Sequence, residues 1–418
     1  MKDEHHSIRH ARVPGPSLKS PLRQPPFLVY LGARFFSEFS YQVAAVVVGW
    51  NIYALTHSAF DLGMAGLVQF LPTALLVFVT GSAADRFSRR RVMQACQIVQ
   101  GLVAAFLTLG SLEHRLTVPA IFAALAVLGV ADAFESPATA ALLSAVTERG
   151  TLQRGAALSS GALQFATIAG PALGGLLYAI SPAVSYGLML AFWAVAAVLS
   201  GSIAAARSVV VPSSESRTFR ELWAGVAFVR GEPAILGAIS LDLFAVLFGG
   251  ATALLPIYAR DILHVGPLGL GILRAAPALG ALLMTAALAR RAISRRAGRR
   301  MFGAVIVFGL ATIAFAVSHS FWLSLIALAV LGAADTISVV IRSSLVQLRT
   351  PDAMRGRVGA VNFLFINASN QLGAFESGTV AALLGAVPSA LLGGAASVAI
   401  AFLWMWLFPS LRTMERLE

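Results

Sequence analysis

Several charged side chains stand inside long apolar runs of this sequence. A carboxylate or guanidinium in an apolar surrounding is costly, so each should face a cavity or a partner of opposite charge. A carboxylate withdrawn from water tends to keep its proton, and such a group can load and release one near neutral pH. We therefore expect a proton-binding site among these residues, which are Arg34, Glu38, Asp132, Glu135, Asp242 and Asp335.

The spacing of these residues groups them further. Arg34 and Glu38 are four residues apart on what we predict to be one helix, so they share a helix face. Asp132 and Glu135 are three apart and share a face in the same way. We expect Arg34 to neutralise a carboxylate that has lost its proton, although purely structural ion pairs are the alternative. Arg342 stands near the end of its apolar run, and we assign it to the cytoplasmic end of a helix.

The elements that must hold these charges are membrane-spanning helices. Of the 418 residues, 58% are hydrophobic and only 12% are charged, whereas soluble domains carry about 25% charged residues. A helix crosses a bilayer with about 20 mostly apolar residues. The sequence therefore predicts an all-α integral membrane protein with twelve transmembrane helices, at 27–55, 62–83, 92–112, 117–141, 155–180, 183–206, 233–259, 266–289, 301–318, 320–347, 357–385 and 388–409.

Arginines are distributed unevenly between the predicted loops. With the N-terminus inside, the even-numbered loops carry clusters such as 89–91 and 299–300, whereas the odd-numbered loops contain only Arg115 and Arg260. Cytoplasmic loops of membrane proteins carry such an excess of basic residues. We therefore predict a bacterial inner (cell) membrane protein with both termini in the cytoplasm. The net charge of +12 then reflects orientation, and we predict no nucleic-acid partner.

Other classes of function are disfavoured by the residues that would have to carry them. Cys96 is the only cysteine, and no two histidines have ligand spacing on one helix, so we predict no metal site. Both lysines, Lys2 and Lys19, stand in the N-terminal tail, so a phosphate-binding loop of the G-x-x-x-x-G-K-[ST] type is missing. No nucleophile motif such as G-x-S-x-G is evident. We predict that the chain is not an enzyme and uses no cofactor, with a proton gradient as its energy source.

The two halves of the chain resemble each other. A shift of about 205 residues places Pro72 on Pro277, and a shift of 203 places Asp132 on Asp335. A parallel repeat of six helices has its symmetry axis along the membrane normal. We predict a disordered cytoplasmic tail at 1–26, a six-helix bundle at 27–206, a cytoplasmic linker at 207–232, a second six-helix bundle at 233–410 and a cytoplasmic tail at 411–418.

The loop after the second predicted helix carries a motif, Gly81-Ser-Ala-Ala-Asp85-Arg86-Phe-Ser-Arg89-Arg90. Gly81 allows two helices to approach closely, Asp85 can cap or pair with a helix end, and the arginines can bridge to carboxylates. The pattern resembles the G-x-x-x-D-R-x-x-R-R signature of the major facilitator superfamily, which stands between helices two and three of twelve. The resemblance implies that Asp85 and its arginines form a cytoplasmic latch that breaks and re-forms during the transport cycle.

The fifth predicted helix carries a second motif, Gly170-Pro171-Ala-Leu-Gly174-Gly175. Small residues around a proline produce a bent helix with close backbone contacts, so packing alone would explain it. The G-P-x-x-G-G core also resembles the signature of the antiporter branches of the same superfamily. The stretch 132–138, Asp-Ala-Phe-Glu-Ser-Pro-Ala, looks like the drug and siderophore exporter branch that includes macrolide efflux proteins and the enterobactin exporter.

The resemblance covers nearly the whole chain and implies the major facilitator fold, two pseudo-symmetric six-helix bundles whose helices one, four, seven and ten line a central cavity. Most of the embedded charges stand on those four helices. We expect a secondary active transporter that exports a small, amphiphilic, drug- or siderophore-like molecule by proton antiport. An importer or facilitator on the same fold is the main alternative, and a membrane-embedded enzyme or sensor is a weaker one. The expected partners are the small-molecule substrate and the lipid bilayer, and the expected oligomeric state is a monomer.

Overall fold

The structure is a computed structural model that describes residues 20–148, 150–203, 219–291, 296–351 and 354–415. Within these ranges the chain forms helices and turns and no β-strand. Twelve of the helices are long, and we number them α1 to α12 in chain order. Residues 1–19 of the predicted N-terminal tail (1–26), residues 207–218 of the predicted linker (207–232) and residues 416–418 of the predicted C-terminal tail (411–418) lie outside the described residues.

The first six long helices follow one another with short connections, and three of them contain an interior proline at which the helix can bend. Pro72 lies inside α2, Pro137 inside α4 and Pro171 inside α5. The helices of this half are α1 (Pro25–Thr56), α2 (Ala59–Arg86), α3 (Arg89–Leu112), α4 (Val118–Val146), α5 (Leu152–Ile180) and α6 (Pro182–Ser202).

The second half begins after a short helix, Phe219–Gly231, that belongs to the predicted linker. Its first long helix is interrupted at Gly249-Gly250, where glycine weakens a helix, and continues through short helical turns to Ile262. The helices of this half are α7 (Pro233–Phe248, continued to Ile262), α8 (Gly266–Arg290), α9 (Ala297–Ala316), α10 (Phe321–Arg349), α11 (Arg355–Leu384) and α12 (Ala386–Leu407).

The outer surface of the bundle is apolar. Large side chains such as Leu102, Trp322, Leu383 and Trp406 are 65 to 79% exposed, and an apolar surface of this kind requires lipid around it. Ten helices of the described chain are apolar and long enough to cross a bilayer, and α1 and α11, with 32 and 30 residues, are at least as long. The chain is a multi-pass, all-α membrane protein, as the sequence predicted.

The two ends of the bundle differ in composition and packing. We call the end that holds the start of α1 and the α2–α3 connection the arginine face, and the other end the opposite face. At the arginine face each half has its own apolar core, with Phe27 and Met93 in the first half and Phe302 and Leu345 in the second. At the opposite face a single apolar core contains residues of both halves, among them Ile52 and Leu255 and the surrounding parts of α1 and α7. The halves therefore share a core only at the opposite face, among the described residues.

Two helix pairs hold the halves together, α5 with α8 and α2 with α11. A Cβ atom on Gly175 of α5 would overlap the carbonyl oxygen of Pro267 in α8. In the other pair, a Cβ atom on Gly378 of α11 would lie 2.6 Å from the Cα atom of Gly63 in α2. Such close backbone contact is possible only between small residues. All four residues stand near the opposite face, so the glycines close the seam between the halves at that end.

Candidate functional site

The embedded carboxylates of the first half lie in two different environments. Glu38 of α1 and Asp132 of α4 are half-buried. Glu38 accepts a hydrogen bond of 2.8 Å from Gln42, one turn further along α1, and Asp132 has no hydrogen-bond or ion-pair partner among the described residues. Both carboxylates are within electrostatic range of Tyr41, and so is Arg274 of α8 in the second half. Tyr41 therefore lies near the boundary between the halves, with Glu38 and Asp132 of its own half and Arg274 of the other half in electrostatic range.

Glu135, by contrast, is enclosed within the first half. Its Oε1 atom accepts hydrogen bonds of 2.9 Å from both Ser37 of α1 and Gln97 of α3. Its Oε2 atom accepts a third hydrogen bond of 2.8 Å from Gln100. Ser200 of α6 donates to the amide oxygen of Gln97 at 2.6 Å, which leaves the amide NH2 group to face the carboxylate. One buried network thus connects α1, α3, α4 and α6 through Glu135.

Arg34 is hydrogen-bonded to hydroxyl groups, whereas we expected it to neutralise a carboxylate. Its Nη1 atom donates to the hydroxyl of Ser159 in α5 at 2.9 Å and to the hydroxyl of Tyr30 at 3.1 Å. Glu38 is bound to Gln42 instead, and no ion pair between Arg34 and Glu38 forms among the residues that the structure describes. The predicted sharing of a helix face therefore does not lead to pairing of these two side chains.

The second half contains a buried ion pair that the sequence analysis did not predict. Arg342 of α10 is 2% exposed and forms an ion pair with Asp242 of α7. Its helix neighbours Ile341 and Leu345 belong to the apolar core at the arginine face, and its guanidinium turns inward to Asp242. Asp335, two turns before Arg342, lines a small cavity together with Asp242 and Ser338. The predicted residues Asp242 and Asp335 are thus brought together, on the two walls of one cavity.

Two arginines after α2 donate to backbone carbonyl groups of other helices. Arg89 donates to the carbonyl oxygen of Ala141 in α4 at 3.4 Å, and Arg90 donates to the carbonyl oxygen of Ile203, which follows α6, at 2.8 Å. The second contact places a cation at the C-terminal end of a helix, which is favourable. The side chains of Gly81, Asp85 and Arg86, which complete the predicted latch motif, lie outside the described part of the structure.

The glycines of the second motif stand at two helix contacts. A Cβ atom on Gly170 would lie 2.7 Å from the Cβ atom of Gln42 in α1, and one on Gly174 would lie 3.2 Å from the Cα atom of Val43. Gly175 faces α8, as described for the seam. Gly170-Pro171-Ala-Leu-Gly174-Gly175 therefore packs α5 both against its own half and against the other half.

The most informative polar residues that sequence analysis did not single out are Gln97, Gln100, Tyr41 and Gln69. Gln97 and Gln100 are buried and three residues apart in an otherwise apolar stretch of α3, a spacing that places them on one face. Gln69 donates a hydrogen bond of 3.0 Å to the hydroxyl of Tyr41. The glutamine spacing was a signal available in the sequence, whereas the Tyr41 contact depends on how α1 and α2 are rotated.

Comparison with known proteins agrees with this architecture. The family model described as transmembrane secretion effector matches residues 17–418, and the chain belongs to this family, within the major facilitator superfamily. It is 28% identical over 399 residues to the enterobactin exporter EntS of Citrobacter koseri, covering 94% of each chain. It is 27% identical over 397 residues to the enterobactin exporter EntS of Escherichia coli O81, again covering 94% of each. The chain is therefore a membrane transporter of the exporter type and not an enzyme.

Solved structures of other transporters share the fold. A bacterial homologue of the human lysosomal transporter Spinster, in an inward-facing and occupied conformation, superposes with a TM-score of 0.72 at 14% identity, over 94% of this chain and 97% of that one. A bacterial homologue of the iron transporter ferroportin, in an inward-facing state, gives a TM-score of 0.70 at 19% identity, over 95% and 100%. These similarities confirm the predicted fold of two six-helix bundles.

Proposed function

We propose that this chain exports a small organic molecule across the bacterial inner membrane in exchange for protons. The observation that carries the proposal is the position of Glu38 and Asp132, which are half-buried and lie within electrostatic range of Tyr41, a residue that Arg274 of the second half also approaches. Groups in such a position would contact both the transported molecule and the other half of the protein. Their charge state can therefore favour one conformation of the two halves over the other.

The orientation of the bundle follows from its arginines. If the arginine face is cytoplasmic, as the loop charges favour, both termini lie in the cytoplasm and the opposite face lies outside. The shared core and the glycine seam at the opposite face then close the route to the outside. In this conformation the substrate would enter from the cytoplasm, and opening the seam would release it to the outside, which is alternating access by two halves that move against each other.

The proposed coupling is competition between substrate and protons. When Glu38 and Asp132 are ionised, each carries a negative charge in a half-buried site. Protonation leaves neutral carboxyl groups, which are less costly in a low-dielectric site. Substrate that binds between the halves would displace the protons. The transporter would therefore carry protons inward in one half of its cycle and substrate outward in the other half.

The substrate class rests on the relatives. Those relatives are enterobactin exporters, and we propose that this chain likewise transports an amphiphilic, drug- or siderophore-like molecule as a monomer in the lipid bilayer. Tyr41, Gln69 and Arg274 supply hydroxyl, amide and guanidinium donors near the boundary, a set that suits a ligand with acidic or phenolic oxygens. An importer or a facilitator on the same fold is the alternative.

The direction and the coupling can be tested together with enterobactin as the probe. Inverted membrane vesicles containing the chain are first acidified inside, and the internal pH is followed with a quenching dye when enterobactin is added outside. Antiport predicts that enterobactin causes protons to leave the vesicle, with no such response in vesicles that lack the chain. Enterobactin that crosses without moving protons indicates a facilitator, and protons that move in the same direction as enterobactin indicate symport. Either result contradicts the proposal.

A further inference from the structure

A groove runs along the outer surface of the second half, with α8 and α9 as its walls and α10 as its floor. Gly280 of α8 lies against Ala329 of α10, and Phe308 of α9 belongs to one buried cluster with Ala334 of α10. At about 3.6 residues per turn, the part of α10 between these two contacts is a separate face. The side chains on that face are apolar and 36 to 62% exposed, and they are Ile326, Val330, Val340 and Leu348.

The walls of this groove are apolar until they reach the arginine face. On α8, Leu279 and Leu283 are exposed, and Arg290 lies on the same helix face seven residues after Leu283. On α9, Val307 is exposed, and Arg300 lies on the same helix face seven residues before it. Both arginines are exposed. Each wall of the groove therefore ends in a guanidinium group at the arginine face.

The connection between α8 and α9 adds two more cations at the same end of the groove. Arg291 directly follows α8 and Arg296 directly precedes α9, and both are exposed. The side chains of Arg290, Arg291, Arg296 and Arg300 form no ion pair or hydrogen bond with any residue that the structure describes. Like charges held close together repel each other, and an anion between them relieves this repulsion.

The first half uses an arginine of the corresponding connection to pack its own helices. Buried residues of α3 recur in α9 at an offset of 208, as Met93 does with Met301. This offset relates Arg90, whose side chain binds the carbonyl oxygen of the residue after α6, to Gly298. The backbone N–H group of Gly298 donates directly to the carbonyl oxygen of Met414 at 3.2 Å. The second half thus fixes the start of α9 without an arginine side chain.

We infer that this groove binds one anionic phospholipid, with its acyl chains on the α10 floor and its phosphate groups between Arg290 and Arg300. The apolar floor and walls suit acyl chains, and guanidinium groups bind phosphate through short, charge-assisted hydrogen bonds. Basic pockets between membrane helices bind headgroups of this kind, cardiolipin among them. Because cations stand on both walls, a headgroup with two phosphates, as in cardiolipin, fits best. The inference requires only that the chain spans a bilayer and is independent of the proposed transport.

The test measures lipid binding to the purified full chain in a neutral detergent. Native mass spectrometry counts the lipids retained during titration with cardiolipin or with phosphatidylcholine. Thermal unfolding is followed with cardiolipin or with inorganic phosphate, because a ligand that binds the folded state stabilises it. We expect one cardiolipin to be retained more tightly than phosphatidylcholine, and cardiolipin alone to raise the unfolding temperature. Equal retention of the two lipids, or equal stabilisation by inorganic phosphate, overturns the inference.

A double variant tests the basic end of the groove. Arg290→Gln with Arg300→Gln removes one cation from each wall and should weaken cardiolipin binding by about tenfold or more. Arg91→Gln with Arg154→Gln is the matched control, because it removes two exposed arginines of the same face in the first half. The control should bind cardiolipin as the wild type does. An equal loss in both double variants would show a response to net charge alone and would overturn the inference.

A second pair of variants tests the apolar floor without changing any charge. Val340→Trp fills the groove near the arginine face and should weaken cardiolipin binding severalfold. Leu323→Trp is the control, since Leu323 is an exposed residue of α10 near the opposite face. Cardiolipin binding that is equal in the two variants would mean that the acyl chains do not lie on the α10 floor, and the site would not be the one inferred.

Discussion

The hydroxyl of Tyr53 in α1 donates a hydrogen bond to the carboxylate of Asp261 at the end of α7, and this contact joins the two halves at the opposite face. The guanidinium of Arg260 lies 5.9 Å from the centroid of the Tyr53 ring and 4.0 Å from Asp261. The three side chains form a small polar clasp beside the apolar core that both halves share. Opening the bundle on this side requires that the clasp separates.

Removing the Tyr53 hydroxyl should favour the conformation that is open at the opposite face. A hydrogen bond to a charged group contributes about 1.5–3 kcal/mol, so Tyr53→Phe should shift the equilibrium by roughly tenfold or more. His114 and His319 are exposed positions in different halves at this face. The distance between spin labels at these two positions is measured by double electron–electron resonance. We expect a longer-distance population in Tyr53→Phe. An unchanged distance distribution would show that the clasp does not hold the seam.

A side chain at Gly175 should have a similar effect through sterics. Since a Cβ atom there would overlap the carbonyl oxygen of Pro267, Gly175→Ala should separate α5 from α8 and lengthen the distance between labels at His114 and His319. Gly187→Ala is the matched control, because no atom lies within 4 Å of a Cβ atom at that glycine. Equal distances in both variants would contradict the role of the glycine seam.

The Glu135 network should make a measurable contribution to stability. Glu135→Leu leaves the amide groups of Gln97 and Gln100 without their acceptor in a buried site, at a cost of about 1–3 kcal/mol each. Glu135→Gln keeps an acceptor oxygen and should cost less. Thermal unfolding of the purified chain, followed by intrinsic fluorescence, compares the two variants. A Glu135→Leu chain as stable as Glu135→Gln would mean that the network has no structural role.

The Asp242–Arg342 pair should show strong coupling in a double-mutant cycle. Arg342→Met leaves the carboxylate buried and unpaired, and breaking a buried pair in this way costs about 3–5 kcal/mol. The double variant Asp242→Ala, Arg342→Met removes both charges and should be more stable than Arg342→Met alone. Additive destabilisation of the two single changes, measured by unfolding, would show that the pair is not an energetic unit.

Much of the fold was predictable from the sequence because a helix that spans the lipid bilayer must be long and mostly apolar. Apolar length and the positions of charges placed all twelve helices within a few residues of their observed ends, from 27–55 for α1 (Pro25–Thr56) to 388–409 for α12 (Ala386–Leu407). The interruption of α7 at Gly249-Gly250 was missed, because two glycines in an apolar run indicate flexibility without specifying where a helix stops.

The site was less predictable because the direction of a side chain depends on the rotation of its helix. Periodicity shows that Arg34 and Glu38 share a face of α1, but not that Arg34 reaches Ser159. In the same way, periodicity does not show that Arg342 pairs with Asp242, because that contact depends on how α7 and α10 are rotated. The offsets of the internal repeat also predict from the sequence alone which residues correspond in the two halves, Glu135 with Ser338 and Ser37 with Asp242.

The central claim, that protons exchange with substrate through Glu38, is tested most directly by enterobactin uptake into inverted vesicles. Wild type and Glu38→Gln are compared with an acidic interior, with the gradient collapsed, and in equilibrium exchange between labelled and unlabelled enterobactin. The account predicts that only the wild type accumulates enterobactin, that it does so only with the gradient, and that Glu38→Gln retains exchange. Accumulation that is indifferent to both the gradient and the substitution would contradict proton antiport through Glu38.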